Sequence, residues 1–441
     1  MKVEEIQSLL RGILIQGKIT NQKIYNISID SRTLKKGEAF ICFIGKRLDG
    51  HQYIDEAVKK KASVIIVSKM VSIETDIPIL LVDNTNDAYQ TLARHHKEQI
   101  EPSVVAITGS VGKTTTKELI ARFLSQKYSV LKSEGNFNNH IGVPMTMLKL
   151  KPKHEVLVLE MGMNHQGEIA RLSMLAKPNV AVITNIGTSH IGYLKTKKNI
   201  FKAKMEITEG MNHGNLVVNG NDHYLKKVKA TNKYDVIFVN QDTFHTQIKY
   251  EKDGIELVLR VQKQVYHVSL PYCAVHLLDN IFLALQVGLM YHVRMEDMIE
   301  VLNHTSFQLK GRLEHISINS HQTLINDTYN ASLESSCAAL AYLKTLPGSK
   351  CMIFGDILEL GKKGKKIHRK LARIFQKEEE IDFVLIGNEV KVMRKKLKHS
   401  LFFNTIEEYI DDIEKHPLQY DYILLKASHN MHFEKLIEKL K

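Results

Sequence analysis

Thr108-Gly109-Ser110-Val111-Gly112-Lys113-Thr114-Thr115-Thr116 carries the most specific chemistry in the sequence. It follows an apolar run, Val104 to Ile107, and opens a helical pattern, Lys117 to Leu124. A glycine-rich turn between a strand and a helix is the setting of a nucleotide phosphate loop. Gly109 and Gly112 let backbone N–H groups close on phosphate oxygens. Lys113 brings a cation to the β- and γ-phosphates, the Thr114 hydroxyl can ligate magnesium, and the helix N-terminus adds its dipole. Ile107 stands where the general G-x-x-x-x-G-K-[ST] pattern has its first glycine, so this is the compact T-G-x-x-G-K-T form. A serine- and glycine-rich turn that only caps a helix is the alternative. The Gly-Lys-Thr run at a strand-to-helix junction weighs against it.

Two further strand ends carry candidate ligands. Val156-Leu157-Val158-Leu159-Glu160 ends on a carboxylate, and open α/β sheets bind ligands at such ends. Magnesium prefers oxygen donors, although a surface glutamate capping a strand fits the same residues. The next apolar run leads through Thr184-Asn185-Ile186-Gly187-Thr188-Ser189 to His190, which is either a ligand or a structural histidine. Lys204, within Ala203-Lys204-Met205-Glu206-Ile207, reads on its own as a solvated helical lysine.

Alternating elements must position these groups. The first ~95 residues hold strand-like runs at 62–67 and 79–82, then a helical stretch from Asp87 to Gln99 and a boundary at Glu101-Pro102. Runs at Val104 to Ile107, Val156 to Leu159 and Val180 to Thr184 predict strands of a buried parallel sheet. Residues 235–268 alternate in a β manner, and a helix is predicted over 277–290. After Gly311, strand candidates at 323–326, 350–354, 383–386 and 422–425 alternate with helical patterns at 335–346 and 367–376. This predicts a second open parallel sheet. The expected fold is α/β in three domains. These are a small N-terminal α/β domain (1–100), a central phosphate-loop ATPase domain with a parallel sheet (101–308), and a C-terminal Rossmann-like domain (309–441).

Bulk properties narrow the class. A chain of 441 residues exceeds one ordinary core, and 44% hydrophobic with 25% charged residues is usual for a globular protein. Met1-Lys2-Val3-Glu4-Glu5 is acidic where a signal peptide is basic, and no apolar run approaches ~20 residues. A cytoplasmic protein that does not span a membrane is expected. Cys42, Cys273, Cys337 and Cys351 lack metal-site spacing and read as reduced core residues. The net charge of +13 is spread over runs such as 59–61, 195–198 and 362–366, which read as solvated lysines. No nucleic-acid motif accompanies them, and no nucleic-acid partner is expected.

Taken together, the motifs resemble the Mur ligase family over essentially the whole chain. Gly135-Asn136-Phe137-Asn138-Asn139-His140-Ile141-Gly142-Val143-Pro144 is similar to the family's GNxNNxxGxP segment. Asp30-Ser31-Arg32 and Gly45-Lys46-Arg47-Leu48-Asp49-Gly50-His51 resemble segments that bind a UDP-sugar acceptor. The resemblance implies ATP and two magnesium ions as cofactors, UDP-N-acetylmuramoyl-tripeptide as acceptor, D-alanyl-D-alanine as the amine, and a monomer. It implies acceptor contacts from Ser31, Arg32, Gly45, Asp49, Gly50, His51, Asn136, Asn138 and Asn139. ATP would be held by Gly109, Ser110, Val111, Gly112, Lys113, Thr114, Thr115, Asn280, Arg312, Asp327 and Asn330. Thr114, Glu160, His190 and Lys204 would hold the metals, with Lys204 carbamylated and therefore anionic. Lys113, His190 and Lys204 would be catalytic. Asp356, Glu359, Leu360, His368 and Ser428 would shape the amine side.

Two departures bear on that last assignment. Leu333 stands where the family usually has proline, and Lys426-Ala427-Ser428-His429-Asn430-Met431 replaces K-G-S-R-G-M. The implied chemistry is attack of the acceptor carboxylate on the ATP γ-phosphate, then aminolysis of the acyl phosphate. Two other readings stay open: a related amide ligase with another acceptor or amine, such as a folylpolyglutamate- or cyanophycin-type enzyme, and a nucleotide-dependent switch that makes no bond. The third peptide residue of the acceptor is not legible.

Overall fold

The computed structural model describes residues 1–440 except 46–47, 252–253, 262, 272–276 and 308. Lys46, Arg47 and Cys273 of the motifs above therefore lie outside the described residues. Four sheets form among the described residues.

The first sheet has the spatial order Ile13–Gln16, Ile79–Leu81, Val64–Val67, Ala39–Ile41, Ile27–Ser28. Its first pair is antiparallel and the rest are parallel. Val64 to Val67 are wholly buried, as expected for a strand covered on both faces. The helix Thr85–Ile100 leads out of this unit, its N-terminus capped by the Asn84 side chain.

The second sheet is parallel throughout, in the order Tyr234–Val239, Gly214–Asn219, Val180–Ile183, Ser103–Thr108, Val156–Glu160, Val130–Lys132. Ser103–Thr108 lies in the middle, flanked by the strands that end at Glu160 and Ile183. The phosphate-loop sequence and both neighbouring strand ends thus meet at one edge, the geometry that parallel βα units impose. The helices Lys113–Leu124 and Leu278–Met290 pack together against this sheet.

The β pattern over 235–268 resolves into two different things. Tyr234–Val239 is the parallel edge strand of the central sheet. Gln247–Glu251, Gly254–Val261 and Gln264–Leu270 make a separate antiparallel sheet.

The last sheet runs Glu314–Ser317, Thr323–Asp327, Tyr422–Lys426, Lys350–Gly355, Ile381–Ile386, Leu401–Phe403. The four expected strands pair in parallel, and one strand outside that expectation is antiparallel. Glu314–Ser317 pairs antiparallel with Thr323–Asp327, because only a short turn joins them and a parallel pair needs a long crossover. No helix among the described residues is long and apolar enough to cross a membrane. The described cysteines are unpaired, with Cys42 and Cys351 buried.

Candidate active site

The phosphate loop is stitched to the chain that follows the strand Val180–Ile183. Asn185 accepts from the Val111 N–H through Oδ1 (3.1 Å) and donates to the Val111 carbonyl through Nδ2 (3.0 Å). Thr184 Oγ1 donates to the same carbonyl at 2.6 Å. The two glycines are required sterically. Gly112 has φ +83°, and a Cβ there would overlap the Asn280 amide. A Cβ on Gly109 would overlap Thr184 Oγ1.

Lys113 Nζ folds back onto the Gly109 carbonyl at 2.9 Å. Burial lowers its amine below the ordinary lysine value, and the carbonyl contact is one that an incoming phosphate can replace. Thr114 Oγ1 donates to Glu160 at 2.9 Å and accepts from Arg312 Nη2 at 3.2 Å. The other Glu160 oxygen accepts from Asn138 Nδ2 at 2.9 Å. Glu160 is only 2% exposed, so this carboxylate is held at the strand end by neutral donors, with room for a cation to satisfy its charge.

These groups line one cavity of about 910 Å³, which also takes in Ser110, Val111, Gly112, Thr115, Asn139, His190, Asn280, Asp327 and Asn330. Residues from all three regions of the chain meet there, from Asn84 and Asp87 to Tyr329 and Lys426. On the far wall the Arg312 guanidinium lies 4.0 Å from the centre of the Tyr329 ring, whose other neighbour is His429 at 6.3 Å. Lys426 Nζ pairs with Asp327 Oδ2 at 2.8 Å and bonds the Asn330 carbonyl at 2.6 Å. Burial raises the Asp327 carboxyl and lowers the Lys426 amine, each opposed by the other's charge.

Lys204 overturns the reading of a solvated helical lysine. It is 2% exposed, on the helix Lys197–Met205. Burial, then the nearby Lys113 cation, pushes its amine well below the ordinary value. No carboxylate among the described residues pairs with it. A free ammonium here is costly, whereas an amine that becomes anionic would suit a site beside Lys113. Among the described residues no three His, Cys, Asp or Glu side chains form a ligand set. The donors that can face a hard cation are the Thr114 hydroxyl, Glu160 and whatever oxygens a bound phosphate brings.

His190, with φ +60°, stands at the cavity rim, its Nδ1 3.0 Å from Glu359 Oε2. That approach holds the Glu359 carboxyl below the usual carboxylate range.

Other expected site residues do not reach the cavity. His51 is buried between Asp49 Oδ1 (2.6 Å from Nδ1) and the Ser68 N–H (3.0 Å to Nε2). Asp49 also caps the turn Gly50–Tyr53, and a Cβ on Gly50 would press on the Phe43 backbone. Gly45 donates its N–H to the Leu48 carbonyl. This segment therefore builds a turn. Ser31 is buried with its hydroxyl on Glu56, while Arg32 is exposed and bonded to Asp30. Asn136 is exposed, whereas Asn139 does line the cavity while its Oδ1 accepts from the Ile141 and Gly142 N–H at the start of the helix Gly142–Leu148.

In the C-terminal unit Asp356 accepts from the Asn388 and Val390 N–H groups, and His368 from the Ile357 N–H. Ser428 Oγ accepts from the Leu358 N–H, and Leu360 is buried. Asp356 thus holds the 388–390 segment, His368 and Ser428 hold the loop that carries Glu359, and Leu360 packs in the core. Sequence reasoning passed over Asn185, Asp279, Tyr329, Glu334 and Lys426, which line the cavity. Asn185 and Lys426 stand at or just past strand ends, the same signal that identified Glu160.

Comparison with known proteins bears on this geometry. Three family models match in succession: "Mur ligase family, catalytic domain" over residues 23–104, "Mur ligase middle domain" over 107–288, and "Mur ligase, glutamate ligase domain" over 311–429. The UDP-N-acetylmuramoyl-tripeptide–D-alanyl-D-alanine ligase of Bacillus subtilis is 30% identical, with 99% of this chain and 98% of that protein covered. The enzyme of the same name from Haemophilus influenzae is 32% identical over 99% and 97%. A crystal structure of MurF from Acinetobacter baumannii superposes with a TM-score of 0.90 at 31% identity, covering 100% and 98%. MurF from Thermotoga maritima in complex with ADP gives 0.83 at 28%, covering 94% and 96%.

Proposed function

Because this chain belongs to the Mur ligase family, we propose that it is an ATP-dependent ligase that joins a UDP-N-acetylmuramoyl-tripeptide to D-alanyl-D-alanine in peptidoglycan precursor synthesis. The observation that carries this reading is the meeting of the phosphate loop, Glu160 and Arg312 through the single hydroxyl of Thr114. One side chain there touches a group for the metal and a group for the nucleotide.

The acceptor carboxylate attacks the γ-phosphorus of ATP, and the bond to the β-phosphate oxygen breaks to release ADP. The amine then attacks the acyl phosphate, phosphate leaves, and an amide forms. Lys113 leaves the Gly109 carbonyl for the transferring phosphoryl group. Arg312, held over the Tyr329 ring, faces the same charge from the C-terminal side. Thr114 and Glu160 would hold magnesium, joined by His190 and by Lys204 once it is carbamylated, and the metal would neutralise charge on the phosphates. Asn138 fixes the orientation of Glu160. Residues 101–308 supply the nucleotide site, 309–441 the amine side, and 1–100 the acceptor site, where exposed Arg32 is free to swing from Asp30 to a phosphate. The protein acts as a monomer in the cytoplasm.

The folylpolyglutamate synthase of Mycobacterium tuberculosis shares only the fold, at 14% identity and a TM-score of 0.61. His429 stacked on Tyr329, where the family has arginine, favours keeping the amine open as a second reading. Phosphate release is measured with ATP, acceptor and a panel of amines, omitting each component in turn. Release that requires all three, fastest with D-alanyl-D-alanine, is expected. Turnover without acceptor or amine would overturn the ligase reading, and a different best amine would overturn the substrate.

A further inference from the structure

Residues 187–190 are gripped from two sides in alternation. The Gly187 N–H donates to Ser110 Oγ at 2.8 Å, and Ser189 Oγ donates to the Ser110 carbonyl at 3.2 Å. Both bonds go inward, to the phosphate loop. The residues between them face the C-terminal unit. Thr188 donates its N–H (2.9 Å) and its hydroxyl (2.6 Å) to Glu334 Oε2, and His190 Nδ1 lies 3.0 Å from Glu359 Oε2. Lys197 holds the second Glu334 oxygen at 3.0 Å. The Glu359 carbonyl takes the Gly192 N–H, also at 3.0 Å.

We propose that this four-residue strip couples docking of the C-terminal domain to the shape of the phosphate loop, with Glu334 and Glu359 as positioning residues. The proposal rests on the nucleotide assignment made above. Neither carboxylate hydrogen-bonds the phosphate loop. Each acts through a residue whose immediate neighbour in sequence is bonded to Ser110. Residues 188–190 form a turn in which the Ile191 N–H donates to the Thr188 carbonyl at 3.2 Å, and so short a strip with alternate residues pinned to opposite bodies cannot shift on one side without moving the other. Glu334 lies in the first turn of the helix Leu333–Thr345, so movement of that helix is delivered directly to Thr188. Gly187 adds to the tightness: a Cβ there would lie 3.0 Å from both Glu334 and Ser110. By linkage, docking then favours nucleotide binding, and nucleotide favours docking by the same factor.

The full-length protein is compared with its Glu334→Ala, Glu334→Gln and Glu359→Gln variants by amide hydrogen exchange and by calorimetric titration with ADP. Glu414→Ala, an exposed site in the same domain, serves as control. In Glu334→Ala, exchange is expected to rise by about tenfold or more both in 184–192 and in the phosphate-loop amides 109–113, with the strand Val156–Glu160 unchanged. The dissociation constant for ADP should rise about 5- to 30-fold. Glu334→Gln keeps an acceptor for Thr188 but loses the charge facing Lys197, so it should fall in between, and it serves if the alanine variant does not fold. Glu359→Gln should shift exchange in the same two segments. Faster exchange confined to 184–192, with parental phosphate-loop exchange and ADP affinity, would overturn the coupling. A parent that binds no ADP would instead remove the nucleotide assignment, while the exchange pattern still decides the coupling.

Discussion

Lys113 and Lys204 are two buried amines within electrostatic reach of each other, yet they should answer mutation differently. Lys113→Ala is expected to abolish phosphate release while leaving thermal stability near parental, because the Gly109 carbonyl it leaves can be solvated from the cavity. Equal turnover by mutant and parent would refute the phosphate role. Lys204→Ala should also be inactive, but acetate, which can place an anionic oxygen in the vacated space, should partly restore release. Lys204→Arg should stay inactive. Near-parental activity of untreated Lys204→Ala would end the carbamate idea. The amine also sets a pH dependence in carbon-dioxide-free buffer. Its folded pKa lies below the ordinary unfolded value, so between the two the unfolded chain binds more protons and stability climbs with pH. Lys204→Met should flatten that climb in denaturant titrations repeated from neutral to alkaline pH. A slope unchanged by the substitution would show that the amine does not titrate in the fold.

At the level of elements, strand ends decide what is functional. Gly112→Ala is expected to lose ADP binding, since the residue is left-handed and its Cβ would overlap Asn280. Retained affinity would show that the loop can reshape around the clash. Arg32→Ala and His51→Ala should separate cleanly in the N-terminal unit. The first should weaken acceptor binding at unchanged stability. The second strands the Ser68 N–H and should cost about 1–3 kcal/mol, read as a shift in the denaturation midpoint. Loss of acceptor affinity at full stability in His51→Ala would reverse that assignment. The parallel strands and the phosphate loop were legible because buried strands are continuous apolar runs and the glycine turn has one chemistry. The short strands Ile27–Ser28 and Leu401–Phe403 were not, since two or three residues carry no period. Lys204 in isolation reads as solvated because a helical lysine looks the same in sequence whether its face meets water or the packed interior. The loop-holding bonds of His51, Asp356 and His368 are not legible in sequence, because a motif fixes residue types without giving their partners.

For the molecule as a whole, the net charge of +13 faces a nucleotide and a UDP-linked acceptor that are both polyanions. The Michaelis constant for ATP is expected to rise about three- to tenfold between ~0.05 and ~0.3 M salt. A flat profile would mean the lysines do not steer substrate. Some of those lysines are not free: Lys197 is spent on Glu334, and Lys363 reaches the Lys195 carbonyl across the seam between the central and C-terminal units. That seam also contains a place where main chain meets main chain. Gly192 lies so close to the Glu359 carbonyl and to Gly361 that no side chain fits between them. A contact made of backbone alone tolerates drift in the residues around it, yet a single added methyl at 192 is a wedge. A small ligand that slips into the seam when the units part would have the same effect, jamming the closing jaw without competing with either polyanion.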